Sequence, residues 1–184
     1  VILDRAWRYE RLSINRVIEM REAERRAGAG SLPFDLPVSG EQKYALFDMD
    51  GVLLDGRFVV ELAEHVGASD DVHRLLDSHI LPDGERSRAI AALFAGVPWE
   101  TFVEVARDMP LMEGAVETVI ALRRAGYVVG IVTDSFHVAA ETIRRRIFAD
   151  FCVAHALHFR NGAATGELTL APLMHHSQGC RQHV

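Results

Sequence analysis

Two short apolar runs, each ending abruptly at polar residues, dominate the hydrophobic pattern of the chain. The first covers 43–47 and ends at Asp48, and the second covers 127–132 and ends at the polar run 133–135. Apolar runs of this length, without polar alternation, are typical of strands that are buried on both faces of a parallel sheet. Each run is followed by residues with helical periodicity. Strand, polar turn and helix therefore occur twice, which predicts an α/β fold with a Rossmann-like, doubly wound parallel sheet.

Helical periodicity fills the long stretch between the two predicted strands. Apolar residues recur there at three- and four-residue spacing over 58–107. Breaks at Gly67, at 82–84 and at 96–98 divide this stretch into several short helices. The pattern predicts a small helical bundle, residues 56–112, inserted between two parts of the sheet domain.

The sheet domain is predicted to comprise 41–55 and 113–184. Further helices are expected over 117–125, which Gly126 would end, and over about 137–147. Asn161 and Gly162 lie between two short alternating segments, which predicts a hairpin because this dipeptide favours tight turns with positive φ.

An N-terminal extension, residues 1–40, precedes the sheet domain. Residues 1–27 have the spacing of an amphipathic helix, and the glycines and prolines that follow predict a linker. Arginine and glutamate alternate along this helix, a pattern that favours a solvated face with one packing stripe. Homodimerisation through the helix, or fusion to a further domain, are the alternatives.

Composition excludes several classes of partner. The 184 residues carry a formal net charge of −6, whereas nucleic-acid surfaces are normally basic. The chain contains no apolar run near the ~20 residues that span a bilayer, so we expect no membrane partner. Cys152 and Cys180 are too few for a disulfide framework and are typical of a reducing cytoplasm.

The candidate chemistry lies where the two strands end. Asp48 and Asp50 flank one residue of a tight turn, so both carboxylates could reach one small cavity and hold Mg²⁺. A carboxylate beside such a metal could attack a phosphate, and the second could transfer protons. Thr133 and the backbone amide of Asp134 could donate to phosphate oxygens. Each motif alone is more often a simple turn or helix cap.

The same motifs resemble those of a known family. The run 47–53, Phe-Asp-Met-Asp-Gly-Val-Leu, resembles the first motif of haloacid-dehalogenase superfamily phosphatases, and 129–133 resembles the second. Within that superfamily the chain is most similar to phosphoserine phosphatases from about residue 43 to 174. The resemblance implies a magnesium-dependent phosphomonoesterase of serine biosynthesis, with an inserted helical cap and a small phosphorylated substrate.

The resemblance also implies a role for individual residues. It makes Asp48 the nucleophile and Asp50 the general acid and base, with both ligating magnesium, Asp50 through its backbone carbonyl. It makes Thr133 a phosphate ligand, and it assigns the substrate carboxylate to Arg88.

Two alternatives remain open at this stage. Arg57 stands where the family has a glutamate that contacts the substrate amino group, so another small phosphate ester is one alternative. No lysine follows Lys43, and no later acidic metal motif precedes Val184. A truncated, non-catalytic module of the same family is therefore the second alternative.

Overall fold

Four strands form one sheet in the order β1-β2-β3-β4 within the residues that the computed structural model describes, 43–78 and 80–171. The predicted 1–40 extension lies outside these residues. β1 pairs in parallel with β2, and β2 pairs in parallel with β3, whereas β3 and β4 are antiparallel. The strands are β1 Lys43–Phe47, β2 Tyr127–Phe136, β3 Phe151–Arg160 and β4 Ala163–Thr169.

Six helices accompany the sheet in the described part of the chain. They are α1 Phe58–Val66, α2 Ser69–Asp77, α3 Asp83–Leu93, α4 Trp99–Asp108, α5 Ala115–Arg124 and α6 His137–Ile147. α5 contacts β2, and α6 contacts both β2 and β3. The predicted α/β fold is therefore confirmed, as are the breaks at Gly67 and 96–98 and the hairpin around Asn161, whereas Asp83 and Gly84 of the break predicted at 82–84 already belong to α3.

One boundary differs from the sequence prediction. β2 does not end at residue 132 but continues through the polar residues to Phe136, and α6 begins directly at His137. Thr133 and Ser135 are buried, so these polar side chains occupy strand positions rather than a solvated turn. The pairing with β3 shifts register between Val132 and Phe136, which gives the strand an irregular end.

A glycine allows the two central strands to pack closely. Gly130 pairs with Phe151 across β2 and β3, and the aromatic ring of Phe151 occupies the space that a Cβ at residue 130 would need. A larger residue at this position would have to displace a buried ring, which cores tolerate poorly. The predicted buried strand therefore depends on this single small residue.

The helical insertion, residues 58–108, is joined to the sheet by two paired linkers. Leu54 and Leu111 form an antiparallel bridge, and the Asp55 amide donates to the Pro110 carbonyl at 3.0 Å. The Met112 amide donates to the Leu53 carbonyl at 2.9 Å, which closes the pairing on its other side.

The hairpin of β3 and β4 also contacts the helical insertion. The Gly96 amide donates to the Ala164 carbonyl at 2.8 Å, and the Ala164 amide donates to the Val97 carbonyl at 2.9 Å. The Trp99 amide donates to the Gly162 carbonyl at 2.8 Å. Three backbone hydrogen bonds thus hold the loop between α3 and α4 against the hairpin.

The described residues contain no helix with the length and apolar character needed to cross a bilayer.

Candidate active site

The candidate residues meet at the carboxyl edge of β1 and β2. These strands are parallel, and Phe47, the last residue of β1, pairs with Ile131 of β2. Asp48 therefore follows β1 at the same edge of the sheet at which Thr133 lies on β2. Ligands of open parallel sheets bind at this edge, because the loops there leave a crevice between strand ends.

Asp48 is exposed to solvent directly after β1. Its Oδ1 accepts a hydrogen bond from the Met49 amide at 2.7 Å. Desolvation by the surrounding protein raises the pKa of Asp48, and the Asp134 carboxylate adds to the rise. The Met49 amide, the Arg57 charge and the Thr133 hydroxyl oppose it, since each favours the ionised form. A carboxylate that is accessible and held by one amide has the geometry of a nucleophile.

Asp50 lies deeper in the same turn. Its Oδ1 accepts a hydrogen bond at 3.0 Å from the amide of Phe58, the first residue of α1. Desolvation raises the pKa of Asp50 to about 6, assisted by the charges of Asp134 and Asp48. A carboxyl that titrates near neutral pH can both donate and accept a proton under physiological conditions. Asp50 thus also anchors a helix start, the role that a lone Asp in such a turn most often has.

Thr133 faces this carboxylate pair from β2. Its side-chain oxygen accepts a hydrogen bond from the Ser135 amide at 3.2 Å, so its single hydroxyl hydrogen can be donated either to Asp48 or to the oxygen of a bound ligand. It is close enough to Asp48 to lower the pKa of that carboxyl by hydrogen bonding. Asp134 is exposed and lies within the strand rather than at a helix start, where its amide was expected.

Two nearby features were not evident from the sequence. The Ser135 hydroxyl is buried, and it makes no hydrogen bond within the described residues. The positive charge of Arg57 lowers the pKa of both Asp48 and Asp50. Its proximity follows from the way loop 51–57 folds back, which residue spacing alone does not reveal.

The two arginines of α3 differ in availability. Arg86 forms an ion pair with Asp83 at 2.5 Å and donates to the Ser78 carbonyl at 3.4 Å. Arg88 is exposed and has no ion pair or side-chain hydrogen bond with the described residues, including the Asp pair. Of the two, only Arg88 is free to bind a ligand.

The donors at the site fit one particular mode of magnesium binding. Asp48 and Asp50 supply carboxylate oxygens from one turn, and their mutual repulsion contributes to the raised pKa of Asp50. No group of three acidic, histidine or cysteine side chains within 43–78 and 80–171 is close enough to enclose a metal. Magnesium is commonly held by one or two carboxylates with waters and substrate phosphate, and this arrangement suits that mode.

The raised pKa of Asp50 predicts a pH-dependent stability. An acid whose pKa is higher in the folded state stabilises the fold below its unfolded value of 3.8 and loses that contribution as pH rises through about 6. Asp50→Asn cannot ionise, yet its amide oxygen can still accept from Phe58. In EDTA, we expect this variant to be more stable than the parent by up to about 3 kcal/mol at pH 8, with the difference vanishing as pH falls below about 4.

Urea unfolding across this pH range measures the effect. Asp77→Asn, on the exposed surface of α2, makes the same chemical change away from the candidate site and is the matched control. A lower free energy of unfolding for Asp50→Asn than for the parent at pH 8 would contradict the prediction, because it would mean that the ionised carboxylate stabilises the fold.

Comparison with known proteins shows which family the chain matches. The family model for haloacid dehalogenase-like hydrolases matches residues 45–182. The phosphoserine phosphatase of Wolinella succinogenes is 31% identical over 129 residues, 68% of this chain, and that of Archaeoglobus fulgidus is 28% identical over 131 residues, 70% of this chain. A solved phospho-aspartyl intermediate analogue of phosphoserine phosphatase superposes with a TM-score of 0.64 at 26% identity, covering 71% of this chain.

The relatives are longer than the matched region. The chain spans 63% of the Wolinella protein and 38% of the Archaeoglobus protein, and 64% of the solved chain. The range that the family model matches, 45–182, contains all the candidate site residues described above.

Proposed function

The chain belongs to the haloacid dehalogenase-like hydrolase family, and we propose that it is a magnesium-dependent phosphomonoesterase that forms an aspartyl-phosphate on Asp48. The proposed activity is most similar to that named for its relatives, phosphoserine phosphatase. One observation carries the proposal: an exposed Asp48 carboxyl lies beside the Thr133 hydroxyl, and Asp50, with a pKa of about 6, is in the same turn.

In the first half of the proposed reaction, a carboxylate oxygen of Asp48 attacks the phosphorus atom. The bond between phosphorus and the alcohol oxygen breaks, and Asp50 donates its proton to that leaving oxygen. The products of this step are an acyl phosphate on Asp48 and the free alcohol. A pKa of about 6 leaves part of Asp50 protonated near neutral pH, which this step requires.

In the second half, water attacks the phosphorus of the acyl phosphate. Asp50, now ionised, accepts a proton from this water, and the Asp48 carboxylate leaves. Inorganic phosphate is released, and both carboxyls return to their starting states. The same side chain therefore serves as acid and then as base.

The remaining groups would hold the phosphate. Thr133 would donate its hydroxyl to a non-bridging oxygen, and Asp134 would contribute its backbone amide. Asp48 through its carboxylate and Asp50 through its backbone carbonyl would hold magnesium, which would offset negative charge on the phosphate when bound.

Three wider assignments complete the proposal. Arg88, whose guanidinium has no partner in the described residues, would bind the carboxylate of a small phosphorylated acid in a bidentate manner. The helical insertion 58–108 would act as a cap over the sheet edge. A cytoplasmic location is supported by Cys152, which is a free thiol.

The hydroxyl of Thr133 provides a direct test of phosphate binding. We expect Thr133→Val, which keeps the shape of the side chain but loses the donor, to lower kcat/KM for phosphate release by about 100- to 1,000-fold. Thr133→Ser retains the hydroxyl and is the matched control, expected to stay within about tenfold of the parent. Steady-state kinetics of each variant measure the effect, after thermal denaturation has confirmed that the variant is folded. A valine variant as active as the serine variant would contradict the role of the hydroxyl.

Phosphate release from a panel of esters with magnesium tests the function itself. We expect turnover of small phosphorylated acids such as O-phosphoserine in preference to a sugar phosphate. Equal turnover would count against the substrate class. A binding module without turnover is the second candidate, because no group of three acidic, histidine or cysteine side chains in the described residues could hold a metal ion. Ester binding without phosphate release would favour that candidate.

A further inference from the structure

Arg57 is fixed beside the candidate acid and base by the backbone around it. It is the residue immediately before α1, and the amide of the next residue, Phe58, donates to Asp50 Oδ1 at 3.0 Å. The loop that leads to Arg57 is closed by a hydrogen bond of 3.0 Å from the Gly51 amide to the Gly56 carbonyl. The closure requires a φ of 126° at residue 56. Glycine can adopt this value, whereas residues with a side chain rarely do. The residue that binds the Asp50 carboxylate through its amide is therefore the immediate neighbour of Arg57.

The guanidinium of Arg57 is available to a ligand. Its side chain is exposed and makes no ion pair or hydrogen bond with the described residues. Several other arginines are already committed to acidic partners: Arg74, Arg86, Arg123, Arg144 and Arg145. An unpaired guanidinium offers five N–H donors and a permanent positive charge to whatever approaches it.

The proposed mechanism determines which part of a substrate would approach it. Asp50 protonates the oxygen of the leaving alcohol, so the alcohol part of the ester must lie on the Asp50 side of the phosphate. The Phe58 amide that binds Asp50 belongs to the residue next to Arg57, and the Arg57 charge acts on both Asp48 and Asp50. An exposed cation at this position therefore adds its charge to the part of the site that the body of the alcohol would occupy.

We infer that Arg57 selects, among small phosphorylated acids, those whose alcohol part carries a hydroxyl group in place of an amino group. This inference rests on the proposed phosphomonoesterase function and names its substrate class. A substrate ammonium would be repelled by the guanidinium, whereas a hydroxyl or a carboxylate would accept its hydrogen bonds. The site would then prefer phosphorylated hydroxy acids to the phosphorylated amino acid named in its relatives.

Two ligands test this choice because they differ in one group. In 3-phosphoglycerate, a hydroxyl replaces the ammonium of O-phosphoserine, while the phosphate and the carboxylate are the same. Their dissociation constants would be measured by calorimetry with magnesium in full-length protein carrying Asp48→Asn, so that binding is read without turnover. We expect 3-phosphoglycerate to bind about tenfold more tightly, the size of a single screened charge interaction at such a site.

Charge reversal at residue 57 should invert the preference. Adding Arg57→Glu to the Asp48→Asn protein is expected to make O-phosphoserine the tighter ligand, and Arg57→Gln should bring the two ligands close to equal. Arg124→Glu is the matched control, because Arg124 is also exposed but lies just before the start of β2, away from the end of the strand that carries Thr133. The control should keep the parent preference.

The outcomes separate this inference from the function on which it rests. Both ligands binding with equal affinity, or a ratio unchanged by Arg57→Glu, would overturn the role of Arg57 and leave the phosphomonoesterase proposal standing. If neither ligand bound, the proposed function would be overturned, and the inference with it.

Discussion

Asp48→Asn is expected to lower magnesium-dependent phosphate release by about 10,000-fold or more. The asparagine amide is a poor nucleophile, so the covalent step on which the mechanism depends would be lost rather than slowed. The fold should be unaffected, because the asparagine oxygen can still accept the Met49 amide hydrogen bond that now measures 2.7 Å. Phosphate release under single-turnover conditions measures the effect.

A neighbouring carboxylate supplies the control. Asp55 is exposed in the same loop, and only its backbone amide contacts the linker, at the Pro110 carbonyl. Asp55→Asn should therefore keep the parent rate. More than a tenth of the parent rate in Asp48→Asn, with magnesium present, would mean that another group attacks the phosphorus.

Phe136→Ala is expected to give the largest loss of stability, about 4 kcal/mol in the free energy of unfolding. Phe136 is 2% exposed at the end of β2, and its ring centroid lies 5.9–6.5 Å from the rings of Phe58, Phe94 and Phe102. These three residues belong to the helical insertion or its loops, so the ring packs the sheet against the inserted helices. Its truncation removes buried apolar surface and leaves a cavity between two parts of the fold.

Urea unfolding of the full chain measures this loss. Phe148→Ala makes the same chemical change at a ring that is 55% exposed, and we expect it to cost less than about 1 kcal/mol. Phe136→Leu should fall between the two, because it refills most of the volume. Equal losses for the two alanine variants would contradict the role assigned to the aromatic cluster.

Features set by local pattern could be predicted from the sequence. The apolar run before Asp48 ended at the strand boundary that the structure has, and the helix predicted over 137–147 has the same bounds as α6. Asn161 adopts a φ of 52° and Gly162 a φ of 79°, the positive values for which this dipeptide was read as a turn. These signals are local because they depend on neighbours within a few residues.

Features that depend on tertiary contacts could not be predicted in this way. β2 continues through its polar residues because Thr133 and Ser135 are buried against the rest of the fold, which overrides their local preference for turns. The sequence does not show which arginine of α3 is available, because only the contacts of Arg86 to Asp83 and Ser78 distinguish it from the exposed Arg88. The effect of Arg57 on both acids likewise arises from loop closure.

The acyl phosphate on Asp48 is the covalent intermediate on which the proposed mechanism depends, and chemical trapping can detect it. The full chain would be mixed with magnesium and a phosphorylated acid, quenched in acid and reduced with borohydride, which converts an aspartyl-phosphate into homoserine. Peptide mass spectrometry then locates the change. We predict that Asp48 is converted to homoserine and that the Asp48→Asn variant shows no such product. Phosphate release that proceeds while Asp48 stays unmodified, or conversion at another acidic residue, would contradict the account.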